Sequence, residues 1–221
     1  MEIIPVGENW FSILVRCERT ADCARRIRAM RAGIADRGFT GIESLRVGLD
    51  CLFIEASEGF DITHVQTFLQ DFQEEQVNVE NPGSLGIPVC CDPEYAPDLE
   101  DVCQFTSLSV EEVIEKFCSS VYQVWMIGFM PGYPYMGSLD PALQIARKRT
   151  PAVHVAARSV AIADEFAGVY PFDSPGGWHV IGRTPLSVID YSKARPWLFD
   201  YGMNVRFYQI SKDEFLDKNR W

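Results

Sequence analysis

The chain lacks any apolar run of about 18 residues, the length a membrane-crossing helix needs. Its first residues, Met1 to Pro5, lack the basic start and long apolar stretch of a secretory signal. Histidine is scarce, with three in the chain and none at ligand spacing from another; there is no Cys-x-x-Cys pair, so no metal centre is expected. The seven cysteines are odd in number and scattered, and the adjacent Cys90 and Cys91 cannot readily bridge each other. They read as small buried hydrophobes in a reducing cytoplasm. No nucleophile elbow, phosphate-binding P-loop or dinucleotide fingerprint occurs, and no internal repeat or low-complexity tract.

Positive charge is also short. Twenty basic residues face 31 acidic ones, a formal charge of −11 that repels phosphate backbones and anionic lipid. Nucleic acid and membrane are therefore set aside as partners. One segment runs against this balance, with Arg16, Arg19, Arg25, Arg26, Arg28, Arg31 and Arg37 in close succession. It reads as a solvated helix face, with a docking surface for an acidic partner as the alternative.

What the chain does have is core-forming material: 47% of its 221 residues are hydrophobic, including 14 Phe and five Trp, enough for one large domain or two modest ones. Trp10 to Arg16 alternates as a strand. Thr20 or Asp22 caps a helix to about Ala35, with Ile27, Met30 and Ile34 on one face. Gly38 and Gly41 mark a turn before a buried strand, Leu49 to Ala56. Asp61 then caps a helix that turns Ile62, Val65, Phe68, Leu69 and Phe72 inward. This strand–helix–strand–helix order predicts a small α+β sandwich over residues 1–82. The polar stretch Val77 to Gly86, with Asn81-Pro82-Gly83, reads as the linker.

Residues 83–221 have a different texture. A strand at Ile87 to Cys91 precedes helices near Pro97 to Phe105 and from Ser109, where Ser109 and Glu112 form a capping box. Beyond them come short apolar runs broken by Pro and Gly: Val121–Ile127, Val153–Val155, Ser159–Ala163, Trp178–Ile181, Leu186–Asp190 and Val205–Ile210. That spacing predicts a barrel or sandwich.

Two segments stand out as ligand-binding candidates. In Gly128-Phe129-Met130-Pro131-Gly132-Tyr133-Pro134-Tyr135-Met136-Gly137, glycines and prolines interleave with aromatics, a pattern that reads as a stiff loop and not as a regular strand or helix. It suits a small planar ligand, or simply closes a barrel. In Ser174-Pro175-Gly176-Gly177-Trp178, consecutive N–H groups read either as an anion-binding nest or as a tight turn. Arg183 can hold a carboxylate by a bidentate contact, or lie on the surface. His179, His154 and His64 read as structural histidines before anything else. The acidic run Asp92, Glu94, Asp98, Glu100, Asp101 offers a general base, but also suits a helix N-terminus. Spacing alone yields a ligand loop and no reaction.

Taken in order, the segments Ile87-Pro88-Val89, Pro93 to Glu100, Leu108 to Ile114, Gly128 to Tyr135, Ser159 to Ala163, Tyr170-Pro171 and Ser174 to Pro185 resemble the KipI/PxpB family. Its members are the B subunits of 5-oxoprolinase, also called allophanate hydrolase subunit 1. The resemblance spans about residues 85 to 210 and is looser before them. It implies a cyclophilin-like β-barrel following the α+β domain. It implies partners too: a C-type subunit with a related barrel and a third lactam-utilisation subunit, which together open 5-oxo-L-proline to L-glutamate with ATP. The alternatives are a regulatory protein of the histidine-kinase-inhibitor type and a subunit of an allophanate- or urea-type amide hydrolase. No metal or biotin is expected on this chain.

The site this resemblance implies is lined by the 128–137 loop and the 174–183 turn. Arg183, His179 and Asp173 are its expected polar catalytic groups. Phe129, Met130, Gly132, Tyr133, Tyr135, Gly176, Gly177 and Trp178 are its expected substrate contacts, with Glu94 and Asp98 as weaker candidates. The chain departs from the family pattern at several positions. The usual Pro-Arg is Pro151-Ala152, Arg158 and Asp164 stand where glycines are usual, Phe166 and Ala167 replace polar residues, and Phe117 replaces a histidine. Arg158 is expected either to fill ligand space or to pair with Asp164.

Overall fold

The computed structural model describes residues 2–6, 11–16, 21–73 and 82–218. The chain divides into two compact units, Met1–Asn81 and Pro82–Trp221.

The first unit runs β1 (Glu2–Val6), β2 (Phe11–Arg16), α1 (Ala21–Arg37), β3 (Ile42–Val47), β4 (Cys51–Ala56), α2 (Thr63–Gln70). The sheet is antiparallel with order β1-β2-β4-β3. β4 alternates cleanly, burying Leu52, Ile54 and Ala56. The helical period of α1 buries Ile27, Met30 and Ile34 over β3 and β4, while Arg25, Arg26, Arg31 and Arg37 stay exposed, a solvated face as expected. Asp61 Oδ1 accepts from the Thr63 N–H at 3.0 Å and from its hydroxyl at 2.6 Å, fixing the start of α2. The unit holds two more strands than the sequence pattern indicates. β1 covers the stretch weighed only as a signal segment, and β3 carries Glu43, Ser44 and Arg46, whose polarity hides it. Trp10, Arg19 and the alternative cap Thr20 lie outside the described residues. Cys23 is disulfide-bonded, so reading every cysteine as a free thiol fails there; Cys51, Cys90, Cys91, Cys103 and Cys118 are free.

The second unit contains β5 (Ser84–Cys90), α3 (Leu99–Thr106), α4 (Val110–Ser119), β6 (Tyr122–Ile127), β7 (Pro134–Gly137), β8 (Ala152–Val155), β9 (Ser159–Ala163), β10 (Phe166–Val169), β11 (Ser174–Gly176), β12 (His179–Arg183), β13 (Asn204–Ile210) and α5 (Lys212–Lys218). Seven strands close a barrel in the order β10-β7-β6-β13-β5-β12-β9, and β8 and β11 form a separate ribbon. The first and last barrel strands of the unit, β5 and β13, run parallel and zip it shut. Closure pairs every barrel strand on both sides. One apolar cluster fills the interior: Ile87, Val89, Val124, Met136, Val160, Ile162, Val169, Ile181 and Phe207 from the strands, with Val102, Val113 and Phe117 from α3 and α4. Each such side chain contributes roughly 1.5–3 kcal/mol by leaving water. The capping box at α4 is complete: Glu112 N–H donates to Ser109 Oγ at 3.2 Å, and Ser109 N–H donates to Glu112 Oε2 at 2.7 Å.

The structure corrects several readings. The last four residues of the supposed loop, Pro134 to Gly137, are strand β7. Its proline opens the strand, where a missing N–H is tolerated. Gly137 is required because a Cβ there would lie 2.2 Å from the Trp125 ring. Phe166–Val169 and Ser174–Gly176 also pair as strands. Leu186–Asp190 does not: it makes a single bridge, Ile189 to Trp197. Two backbone bonds, Asp190 N–H to Pro196 O and Leu198 N–H to Val188 O, hold it beside side-chain ones, in which Thr184 Oγ1 accepts from Leu186 N–H and the Ser187 hydroxyl donates to Ile189 O. Of the linker, residues 77–81 lie outside the described residues, and Ser84 to Gly86 already belong to β5.

Candidate functional site

The two glycine-rich segments do come together. Phe129, Tyr133, Tyr135, Tyr170, Gly176, Gly177 and Trp178 line a cavity of about 160 Å³ with Arg147, Lys148 and Pro151 at its rim. Tyr133 is the hub. Its ring meets Phe129, Tyr135, Tyr170 and Trp178 edge to face, with centroids 5.7, 5.3, 5.1 and 5.6 Å away. Such contacts each stabilise by about 0.5–1.5 kcal/mol beyond area burial and fix ring angles as well as positions. Glycines let the hydroxyls in: a Cβ on Gly168 would meet Tyr133 Oη at 2.5 Å, and one on Gly176 would meet Tyr170 Oη at 2.3 Å.

Phe129 sits at φ +68, left-handed backbone that a bulky residue adopts at a cost, and its ring is 65% exposed over the mouth. The turn is tied by Met130 N–H to Gly128 O at 2.8 Å and by Gly128 N–H to Tyr133 O at 3.1 Å. Met130 and Gly132 therefore shape the turn and do not line the cavity; Gly132, at φ +78, lies against Ile189 and Trp197. Gly176 and Gly177 form no anion nest, because neither has positive φ; they serve close packing.

A second cavity of about 330 Å³ lies alongside, lined by Glu94, Asp98, Lys148, His154, Ser159 and Arg183 among others. Lys148 borders both cavities. Its ammonium meets Asp98 Oδ1 at 2.5 Å, and Asp98, only 8% exposed, also accepts from Val180 N–H at 2.7 Å through Oδ2. Asp98 returns its own N–H to Val180 O at 3.1 Å, so the start of α3 is bonded to β12. Asp98, a weaker candidate from the sequence, is thus the best-buried carboxylate of the site, whereas Glu94 is drawn outward to Lys212 at 2.6 Å.

Of the three expected polar groups, Arg183 and Asp173 meet at Ala157 and His179 does not join them. Arg183 lines the polar cavity and donates from Nε to Ala157 O at 3.0 Å. Asp173 accepts Ala157 N–H at 2.7 Å and faces His154 Nε2 at 3.3 Å on the outer surface. The Ala157 hydrogen bond, then His154, holds the Asp173 carboxyl below its usual range. Arg183 and Asp173 therefore grip one residue's backbone from two sides. His179 is 4% exposed, its Nε2–H donates to Ala146 O at 3.0 Å, and its ring packs edge-on against Phe105. It lines neither of these two cavities.

What His179 does is tether the irregular segment 145–148, which sequence reasoning passed over. Asp164 N–H donates to Ile145 O at 2.7 Å, and Lys148 N–H donates to Gly177 O at 2.8 Å. Arg147 donates from Nε to Asp164 Oδ2 at 3.3 Å and lays its guanidinium 5.8 Å from the Trp178 ring. The signal was present: Arg147-Lys148-Arg149 is a cationic run in a chain of charge −11.

Arg158 and Asp164 both occupy positive φ, +69 and +52, the backbone expected where glycine is usual. They take different partners. Asp164 holds Arg147, while Arg158 donates to Pro185 O at 3.3 Å and has its guanidinium pKa lowered first by burial and then by Arg183. Phe117 is core, between Tyr122 and Phe207, and Ala152 lines the polar cavity. Among the described residues no group of three or more His, Cys, Asp or Glu is placed to hold a metal ion.

Comparison with known proteins agrees with this architecture. Residues 1–199 match the model of the carboxyltransferase domain, subdomain C and D. The 5-oxoprolinase B subunit of Bacillus subtilis is 41% identical over 129 residues, 58% of this chain and 54% of the relative. Its counterpart in Haemophilus influenzae is 38% identical over 143 residues, 65% of this chain and 67% of the relative. The crystal structure of a conserved uncharacterized protein from Pyrococcus horikoshii superposes with a TM-score of 0.58 at 28% identity, covering 97% of this chain and 100% of that one. The chain thus spans about half the length of the Bacillus relative and two thirds of the Haemophilus one. With its α+β unit, its closed barrel and these matches, the chain belongs to the carboxyltransferase subdomain C and D family, in the group that holds the 5-oxoprolinase B subunits.

Proposed function

We propose that this chain is the B subunit of an ATP-dependent 5-oxoprolinase, which opens 5-oxo-L-proline to L-glutamate only when assembled with a C-type barrel subunit and a third lactam-utilisation subunit. The observation that carries this reading is the 38–42% identity to proteins named as B subunits of 5-oxoprolinase. The site is chemically compatible with it. A planar five-membered lactam suits aromatic walls that meet edge to face, and Arg147 supplies a cation at the rim for its carboxylate. The lactam carbonyl is a poor electrophile, and phosphorylation of its oxygen by ATP activates the carbon toward water. No residue of this chain is assigned to ATP. Within the complex this chain orients the lactam and shields one face of it from solvent, with the Asp98–Lys148 pair keeping the ammonium fixed between the two cavities.

The test is glutamate release from 5-oxoproline and ATP after mixing the chain with its cognate subunits. Turnover that disappears when this chain is omitted is the expected result. An assembled complex that hydrolyses ATP without releasing glutamate would overturn the reading.

A further inference from the structure

The aromatic cavity carries two polar groups whose directions are set by the protein before any ligand arrives. The first is the Tyr170 hydroxyl. Tyr170 is 1% exposed, its ring centroid stands 5.1 Å from that of Tyr133, and its hydroxyl fills the space left by the missing Cβ of Gly176. Tyr170 lines the cavity, and a phenol hydroxyl there can donate its proton to a ligand acceptor. Burial raises its pKa, so the proton stays in place at all ordinary pH values.

The second group is the Arg147 guanidinium. Asp164 engages its Nε and the Trp178 ring lies beneath it, which orients the fork at the cavity rim. Asp164 is itself at φ +52, a conformation Asp tolerates better than most residues, and its N–H pins Ile145 O. A neutral donor deep on one wall and an oriented cation at the rim, separated by aromatic faces, fit a particular ligand class.

We infer that the cavity seats a small planar cyclic amide bearing a carboxylate, with Arg147 as the carboxylate's partner and the Tyr170 hydroxyl as donor to the amide oxygen. This rests on the reading under Proposed function and specifies it. Tyr170 fixes where the amide oxygen lies, and Arg147 fixes which face of the ring is offered. Tyr133 acts through Tyr170 and is a positioning residue.

The test uses the full chain and titrates three probes by Trp fluorescence and calorimetry: 5-oxoproline, pyrrolidin-2-one without the carboxylate, and proline without the amide carbonyl. 5-oxoproline is expected to bind at least about tenfold tighter than either truncated probe, the loss that goes with one missing charge-assisted hydrogen bond. Arg147→Met should bring 5-oxoproline to the affinity of pyrrolidin-2-one and leave pyrrolidin-2-one unchanged, with Arg147→Lys recovering part of the loss. Tyr170→Phe should weaken both lactams and leave proline unchanged; near-UV circular dichroism checks that the rings stay packed. Equal affinity for the three probes, no binding of any of them, or variants that bind 5-oxoproline as the parent does would each overturn the inference. The two readings fail separately. A complex that turns over 5-oxoproline with an unchanged KM in Arg147→Met removes the inference and leaves the function. An inactive complex whose chain still binds carboxylated lactams through Arg147 removes the function and leaves the inference.

Discussion

The two cavities of the second unit share Lys148 and are held open by different physics. The aromatic one is shaped by contact: rings braced against rings, with Gly168 and Gly176 conceding the space the tyrosine hydroxyls need. The polar one is shaped by charge, with Asp98 and Lys148 paired out of water and Arg183 and Asp173 gripping Ala157. Contact fixes shape over a short range and fails abruptly when volume changes. Charge pairing depends on pH and on both partners being present. Where the two meet, at 145–148, the backbone is irregular because its hydrogen bonds go to neighbouring segments and side chains, not to a helix or sheet ladder.

The largest effect that would break this contrast is Asp98→Ala. It strands the Lys148 ammonium and leaves the Val180 N–H without its carboxylate, and should cost about 3–5 kcal/mol in urea-unfolding free energy. A loss below about 1 kcal/mol would mean that Lys148 swings into solvent and that the pair does not shape the cavity. Gly176→Ala attacks the other cavity. Its Cβ would arrive 2.3 Å from Tyr170 Oη, and overpacking of this kind should cost about 1–3 kcal/mol, seen as a lower Tm together with a changed near-UV spectrum. An unchanged spectrum would show that Tyr170 is not seated against that glycine.

Asp173→Asn sharpens the comparison through pH. The folded-state carboxyl titrates below its usual value, so its contribution is fully present above roughly pH 3.9 and disappears as pH falls through the lower folded value. The Tm gap between parent and variant should close as pH falls below about pH 3.9. A gap that stays level down to about pH 2.5 contradicts the assignment. The smallest expected change is Phe129→Gly, which relieves φ +68 and gives up one ring contact, so stability should move by less than about 1 kcal/mol in melts. 5-oxoproline affinity should nonetheless fall severalfold, separating a ligand wall from a structural one.

Legibility differed between elements for reasons that can be named. Helix α4 was readable in full, because Ser109, Glu112 and the apolar spacing of Val113 and Phe117 act over one or two turns. β7 was not, because Gly137 and Pro134 argue against a strand until Trp125 is known to lie over the glycine. The partner of His179 was hidden for a similar reason. An apolar neighbourhood in sequence does not say that Ala146, 33 positions away, presents the carbonyl that binds its ring. Asp98 was undervalued among its acidic neighbours because only Val180 and Lys148, both distant in sequence, distinguish it.

Helices α1 to α4, the two-part organisation, the family and the left-handed positions at Arg158 and Asp164 were legible in the sequence, because they follow from short-range sterics, periodicity and motif order. The tertiary structure alone decided which polar groups meet. The ring contacts of Tyr133 with Tyr170 and Trp178, the Asp98–Lys148 pair and the placing of Arg147 over Trp178 each join residues brought together by barrel closure. Closure fixes those distances through strand register across the whole barrel, and register is a property of paired strands, not of any one of them.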